Sequence, residues 1–151
     1  VPPTTVPPTT PDTNGISYLS NVENDILSLV NVERQKVGAK PLKFNTTANK
    51  YARSKSAEMI TLNYFAHESP KNGTIMDIAK KDGWKYSLIG ENIYTSTGIT
   101  DVKAKAIVDG WMSSPGHREN ILRAGYEEIG IGVAIKGNKV MATQIFYTPA
   151  N

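Results

Sequence analysis

Cysteine is absent from the 151-residue chain. This absence excludes disulfide bonds, thiolate-ligated zinc, iron–sulfur clusters and a thiol nucleophile. Only two histidines are present, so a metal would have to be held by imidazole and carboxylate groups. The lack of cysteine does not place the protein in the cytosol, because a protein of an oxidising compartment can also do without thiols.

The chain also lacks long apolar runs and a strong bias of charge. No stretch approaches the roughly 18–20 uncharged apolar residues that a transmembrane helix needs, so we expect no membrane span. Seventeen basic and fourteen acidic residues leave a net charge of +3, and the basic residues are scattered along the chain. This distribution argues against nucleic acid as a partner, because a nucleic-acid site needs a basic patch or stripe.

The first 15 residues differ in composition from the rest. They contain a tandem VPPTT repeat, and five of the nine prolines lie within residues 1–13. Proline restricts φ and threonine is well solvated, so we expect residues 1–15 to form a stiff linker or stalk, followed by one domain over residues 16–151. Such Thr/Pro composition is typical of extracellular stalks and favours a secreted, cell-surface or cell-wall protein; an ordinary inter-domain linker is the alternative.

Hydrophobic periodicity predicts helices followed by a β-hairpin. Apolar residues three and four apart predict four helices, at 20–38, 46–63, 74–81 and 100–115. Alternating apolar residues predict three strands, at 88–94, 129–135 and 140–147. In the second helix, Lys50, Arg53 and Lys55 are expected on the solvent side. The order of these elements, with helices first and an antiparallel hairpin at the C-terminal end, predicts a layered α+β domain.

Three side chains stand out as chemically unusual. His67 in YFAHESP and His117 in SPGHRENIL lie in segments that read as loops, where binding and catalytic groups concentrate. Glu91 in IGENIY lies in a strand expected to be buried, so its carboxylate needs a cation, an imidazole, a metal or backbone donors. A purely structural role is the alternative for each residue. Their spacing matches no local metal motif, so they could meet only through the tertiary fold.

The segments around these residues carry a family resemblance. FAHESP, GENIY and WMSSPGHRENIL, in this order and ahead of IGIGVAI, resemble the CAP superfamily of cysteine-rich secretory proteins, venom antigens and plant pathogenesis-related proteins. The likeness spans about residues 20–147 and is to the small, cysteine-free bacterial members. It implies a three-layer α-β-α sandwich with a central, mostly antiparallel sheet. It also implies an open cleft, lined by two histidines and acidic groups, that in some relatives holds a divalent metal such as zinc.

Position by position, His67 and His117 resemble the two cleft histidines, and Glu91 resembles the acidic residue of the GEN motif. These three residues are the expected ligands of zinc or another divalent cation. Ser69 and Asn92, which belong to the same motifs, are expected to line the cleft with them.

The chain departs from the family pattern at the position of a second acidic residue. In many eukaryotic relatives it precedes the second histidine, where this chain has Met, Ser and Ser at residues 112–114. Glu119 is the nearest substitute and the sixth expected cleft residue. Only a non-helical GHREN segment would bring Glu119 and His117 to one site, because residues two apart point in different directions on a helix.

These observations favour a binding module over an enzyme. Two imidazoles and one carboxylate would leave a metal position open for water, which could be activated for hydrolysis, but no general base remains once Glu91 is a ligand. Ser69 lacks a G-x-S-x-G elbow and is better explained as a turn former. We therefore expect a monomeric interaction module with a ligand or protein partner still to be identified.

Two alternatives stay open. The first is a metal-dependent hydrolase that acts on peptide or cell-wall material. The second is a lipid or sterol carrier, as in some relatives, with Trp84 and Tyr86 as candidates to line an apolar groove.

Overall fold

The computed structural model describes residues 15–151, which contain five helices and five strands. The helices are α1 (Ser20–Lys36), α2 (Thr46–Thr61), α3 (Ile75–Asp82), α4 (Ala104–Met112) and α5 (Pro115–Leu122). The strands are β1 (Ser17–Tyr18), β2 (Lys43–Phe44), β3 (Tyr86–Thr97), β4 (Glu128–Lys136) and β5 (Lys139–Pro149). The linker predicted over residues 1–15 lies outside the described residues except for Gly15. In the described part, none of the helices combines the length and the apolar character needed to cross a bilayer.

One sheet forms the centre of the domain. Its strand order is β1-β4-β5-β3, and β2 joins β4 as a short parallel neighbour. The β4–β5 hairpin is antiparallel and turns at Gly137, whose positive φ of 61° suits the first central position of a tight turn. β3 pairs antiparallel with β5 and occupies one edge of the sheet. The predicted hairpin is confirmed, and the strand predicted at 88–94 is confirmed but longer at both ends.

Helices cover both faces of this sheet. On one face, α1, α4 and α5 pack on the sheet in the larger core cluster, which includes Ile26, Trp111, Ile121, Ile131 and Phe146. On the other face, α2 and α3 pack on β3 and β5 in two smaller clusters, which include Ala48, Met59, Ile75, Met141 and Ile145. The α+β, three-layer α-β-α sandwich is thereby confirmed.

Helix α2 touches the backbone of the central strand β4. A Cβ atom at Gly130 would lie 2.0 Å from the carbonyl carbon of Ala48, and one at Gly132 would lie 2.3 Å from the amide nitrogen of Arg53. Because any side chain at these two positions would displace the helix, the glycines set the depth at which α2 packs. This depth matters for function, since α2 carries polar residues of the candidate site.

The first three helices begin and end close to their predicted limits. Asn45 caps α2 by accepting a hydrogen bond from the amide of Ala48 at 2.7 Å, and Thr74 caps α3 in a reciprocal capping box with Asp77. Helix α3 ends at Gly83, whose backbone lies in the left-handed region with a φ of 72°. These ends were predictable because capping is a local interaction between neighbouring residues.

The predicted fourth helix is wrong at both ends. Helix α4 begins at Ala104 rather than at the expected cap of Thr100 or Asp101, and it ends at Met112. Pro115 does not terminate a helix but begins α5, at a position where proline's missing N–H costs nothing. His117 therefore lies on a helix, and the prediction that it lies in a loop is wrong.

The solvent side predicted for α2 is also partly wrong. Lys50 is exposed as expected, but the guanidinium of Arg53 contacts the fully buried Glu23 of α1 at 2.6 Å, and Lys55 is only 7% exposed. Burial raises the pKa of Glu23, although its hydrogen bonds from Arg53 and from the amide of Val133 act against this shift. The sequence could not reveal the partners of these residues, because the partners lie far away along the chain.

Candidate functional site

The site lies at the edge of the sheet formed by β3. Successive side chains of a strand point to opposite faces, so Glu91 and Asn92 serve different layers. Glu91 pairs in register with Ile145 and lies on the side of α2, whereas Asn92 pairs with Gln144 and contacts α5. Because β3 is the edge strand, groups from both helical layers can meet around it.

Glu91 has the imidazole partner that its burial requires. Oε1 of Glu91 lies 2.8 Å from Nδ1 of His67. The Glu91 side chain is 5% exposed, whereas the His67 side chain is 58% exposed. A nearly buried carboxylate therefore holds an imidazole that faces solvent. Because Nδ1 is engaged, Nε2 is the atom that His67 presents to a ligand.

His67 itself lies in the loop after α2, as predicted. Its carbonyl oxygen accepts a hydrogen bond of 2.9 Å from Nζ of Lys55 on α2. Both the ring and the backbone of His67 are thus tied to buried charged groups. The loop places its imidazole in a defined position although the residue is exposed.

His117 approaches from the opposite helical layer. Nδ1 of His117 lies 2.9 Å from Oγ of Ser114, the residue just before the first turn of α5, which leaves Nε2 as its outward nitrogen. Burial lowers the pKa of His117, and the charge of His67 lowers it further. A lowered pKa keeps His117 neutral at pH 7, the form that binds metals.

Asn92 holds α5 against the sheet. Its Nδ2 donates to the carbonyl oxygen of His117 at 3.0 Å and to Oε1 of Gln144 at 3.0 Å, while its Oδ1 accepts from Nδ2 of Asn120 at 2.9 Å. Asn92 is fully buried, so these bonds satisfy a side chain that has no access to water. The residue positions the backbone of His117 from behind and does not face the cleft.

Ser69 organises the turn that follows His67. Its Oγ accepts hydrogen bonds from the backbone amides of Lys71 at 3.1 Å and Asn72 at 3.0 Å, and its backbone forms an isolated bridge with Gly73. Ser69 is only 4% exposed. These contacts give Ser69 the turn-forming role that the sequence favoured over that of a nucleophile.

Glu119 is not brought to the histidines. The GHREN segment is helical, and Glu119 lies exposed on α5 in a shallow groove together with Arg118 and Arg123. Among residues 15–151, no group of three or more His, Asp or Glu side chains is arranged to hold a metal. The donors that the site offers are the imidazoles of His67 and His117, with Glu91 bonded to the first.

A buried polar cluster beside Glu91 was missed by the sequence analysis. Nζ of Lys55 donates to the hydroxyl of Tyr64 at 3.2 Å, and that hydroxyl donates a short hydrogen bond to Glu58. Burial lowers the pKa of Lys55, while the charges of Glu91 and Glu58 oppose the shift. One signal was available, because Lys55 lies three residues after Ala52, on the inward stripe of α2.

Glu58 completes this cluster. Burial acts to raise its pKa, but hydrogen bonds from Ser69, Tyr64 and Asn72 outweigh burial and lower the pKa below its usual value. Glu58 thus stays ionised beside the ammonium group of Lys55. The cluster joins α2 to the loop that carries His67.

Trp84 is part of the packing beneath the site. Its ring stacks on Tyr147 at a centroid distance of 4.5 Å and lies 5.1 Å from the ring of Tyr51. Trp84 is in the loop before β3 as predicted, whereas Tyr86 begins the strand. The stacking gives Trp84 a structural role.

Comparison with known proteins agrees with this architecture. The model of the CAP family, described as the cysteine-rich secretory protein family, matches residues 27–147. The chain is 40% identical over 136 residues to the uncharacterized protein YkwD of Bacillus subtilis and 35% identical over 111 residues to the uncharacterized membrane protein YlbC of the same organism. These matches cover 90% and 74% of the chain, but only 51% of YkwD and 31% of YlbC.

Solved structures show the same fold. An extracellular protein of Bacillus anthracis that contains an SCP domain matches with a TM-score of 0.73 and 29% identity, over 85% of this chain and 40% of that one. An outer surface protein of Borrelia burgdorferi matches with a TM-score of 0.77 and 17% identity, over 88% and 98%. NaASP2, solved with Zn²⁺, matches with a TM-score of 0.61 and 15% identity, over 94% and 92%, which supports the fold alone. Together with the matched family model, the fold and the motifs that build the β3 edge show that this chain belongs to the CAP, or cysteine-rich secretory protein, family.

Proposed function

We propose that this domain is a secreted or surface-displayed binding module whose ligand site is the cleft formed by His67, His117 and Glu91. One observation carries the proposal. The exposed imidazole of His67 is held at 2.8 Å by the nearly buried carboxylate of Glu91, at a sheet edge that solvent reaches. A buried carboxylate that orients an outward imidazole is a costly arrangement that stability alone does not require.

Zinc or another divalent cation fits the chemistry of this donor pair. Both imidazoles have Nδ1 engaged, by Glu91 and by Ser114, and both present Nε2. Imidazoles that bind metals usually donate their second nitrogen to a carboxylate or another acceptor, which is the position that Glu91 occupies. Oε1 of Glu91 is bonded to His67, so direct ligation by Glu91, as expected from the sequence, would have to use the other carboxylate oxygen, Oε2.

A metal held in this way would act as a contact for a ligand. Two imidazole ligands leave further coordination positions for water or for an oxygen of the bound partner. The role of the chain's own residues is to orient: Glu91 holds the ring of His67, Lys55 holds its backbone, and Asn92 holds the backbone of His117. This arrangement supports recognition and does not supply a free general base.

The proposed location rests on the sequence and on the named relatives. The SCP-domain protein of Bacillus anthracis is extracellular and the Borrelia burgdorferi protein is an outer surface protein, while YlbC is called a membrane protein. The Thr/Pro-rich residues 1–15 have the composition of a stalk that would hold the domain away from a surface. We propose that the domain works outside the cytoplasm.

Calorimetric titration of the metal-free protein with zinc tests the proposal. We expect one site, and we expect His67→Ala and His117→Ala each to lower affinity at least about tenfold, because each removes one of two imidazole ligands. Glu91→Gln should weaken binding about 10- to 100-fold by removing the orienting carboxylate. Glu119→Gln, which changes an exposed acid on the same helix as His117, is the matched control and should bind zinc as the parent does.

Two results would count against the metal site. The first is the absence of binding heat in the parent protein at millimolar zinc. The second is binding that survives both histidine substitutions, since the chain contains only these two histidines. Unfolding curves of each variant must be measured in parallel, so that loss of structure is not mistaken for loss of a ligand.

A further inference from the structure

A second cavity lies beside the histidine cleft, between α2, α3 and β3. Its volume is about 320 Å³, and its wall includes Glu91, Lys55 and Glu58 but neither histidine. Glu91 contacts His67 and also lines this cavity. The volume lies at the small end of the ~300–1,000 Å³ range of small-molecule sites.

The inner wall of this cavity carries a net negative charge. Glu91 and Lys55 are each more than nine-tenths buried, and Glu58 is half-buried. The ammonium group of Lys55 already donates to the carbonyl oxygen of His67 and to Tyr64. Glu58 also accepts hydrogen bonds from Tyr64 and Asn72, and Glu91 is bonded to His67. The two carboxylates still outnumber the one ammonium group, so the charge of the inner wall favours a cationic group.

The outer rim has the opposite character. Lys71, from the turn before α3, and Lys81, from the last turn of α3, both line the cavity and are exposed. The acid of the rim, Asp82, accepts a hydrogen bond of 2.6 Å from the hydroxyl of Tyr51. The rim therefore favours an anionic group at the mouth of the cavity.

Apolar side chains connect the inner wall to the rim. Ile75 and Ile78 of α3 and the ring of Tyr51 of α2 line the same cavity. The cavity thus presents a negative end, a short apolar wall and a positive end. We infer that it binds a small zwitterion, a dipeptide with free ends, whose ammonium group lies against Glu91 and Glu58 and whose carboxylate lies between Lys71 and Lys81. This inference goes beyond the proposed metal cleft and does not depend on it.

Titration of the ¹⁵N-labelled protein with alanyl-alanine, in a buffer that contains EDTA, tests the inference. We expect saturable shifts centred on the amides of Ile75 and Ile78. N-acetyl-alanyl-alanine, which lacks the ammonium group, should bind at least about tenfold more weakly, because it would bring no positive charge to the carboxylates of Glu91 and Glu58. Alanyl-alanine amide should bind about threefold more weakly, since ion pairs with exposed lysines are screened.

Variants of the rim lysines distinguish binding in this cavity from non-specific binding elsewhere on the protein. Lys71→Met and Lys81→Met should each weaken alanyl-alanine binding about two- to fivefold and leave binding of the amide unchanged. Lys50→Met, which changes an exposed lysine of α2 outside the cavity, is the matched control and should bind as the parent does. Shifts that never saturate, equal affinity for all three peptides, or the same loss in the control as in the rim variants would each overturn the inference. Zinc calorimetry in the absence of peptide reports on the histidine cleft independently.

Discussion

Replacement of Gly130 by alanine tests the close packing of α2 on the sheet. The added Cβ would lie 2.0 Å from the carbonyl carbon of Ala48, about 1.4 Å short of the 3.4 Å at which ordinary contacts begin. The atoms that the Cβ would meet all belong to the backbone of α2, and β4 is paired on both sides, so neither the helix nor the strand can relieve the clash by turning a side chain away. Overpacking a core usually costs about 1–3 kcal/mol, and this clash is severe, so we expect a loss of about 3 kcal/mol or more.

Urea unfolding followed by tryptophan fluorescence measures this effect, because Trp84 and Trp111 lie on opposite sides of the sheet. Gly110→Ala is the matched control. Gly110 lies on α4, and its added Cβ would lie 3.6 Å from the ring of Tyr94, an ordinary van der Waals distance. Because alanine favours a helix more than glycine does, this substitution should stabilise the protein by about 0.5–1 kcal/mol. A Gly130→Ala protein within about 0.5 kcal/mol of the parent would refute the argument that helix depth is set by this glycine.

Three further predictions concern polar side chains that are buried or half-buried. Arg34→Met should lower the free energy of unfolding by about 3–5 kcal/mol, because the fully buried guanidinium donates to four backbone carbonyls; a urea midpoint like that of the parent would contradict this. Asn92→Ala should cost about 2–3 kcal/mol and weaken zinc binding by releasing His117, and unchanged affinity in the folded variant would limit the role of Asn92 to stability. The lowered pKa of Glu58 means that its stabilising contribution is present above about pH 4.5 and is lost on acidification below that value. Glu58→Gln should therefore lose less stability than the parent between about pH 5 and pH 3, and parallel pH profiles would argue against this contribution.

Lys55 illustrates why part of the site could not be predicted. On sequence alone a lysine is assigned to the solvent side of a helix, because burial of an unpaired ammonium group is costly. In the structure its partners are a carbonyl oxygen and a hydroxyl from the loop that carries His67, with two carboxylates nearby. These partners lie nine or more residues away and have no periodic relation to α2. The same reasoning applies to Glu23, whose partner Arg53 is on another helix.

Proline at residue 115 shows a limit of a different kind. The residue signals a helix boundary, but it serves equally well as the end of one helix or the beginning of the next. Here it begins α5, which Asn92 and Asn120 then tie to β3. Pro115 thus marked a helix boundary, but its position alone did not show that the residues after it, including His117, would be helical.

Helices α1 to α3, the C-terminal hairpin and the family could be predicted from the sequence, because periodicity, caps, turns and motifs depend on neighbouring residues. The sequence also identified Glu91 as a carboxylate that needs a partner. That this partner is His67 follows from the folded chain and not from any local pattern. His67, Glu91 and His117 are separated by 24 and 26 residues and belong to a loop, an edge strand and a helix of the opposite layer. His67 and Glu91 are in contact at the edge strand β3, and Asn92 of the same strand holds the backbone of His117 on α5. Both contacts depend on strand order, which arises from contacts between distant segments that no local pattern encodes.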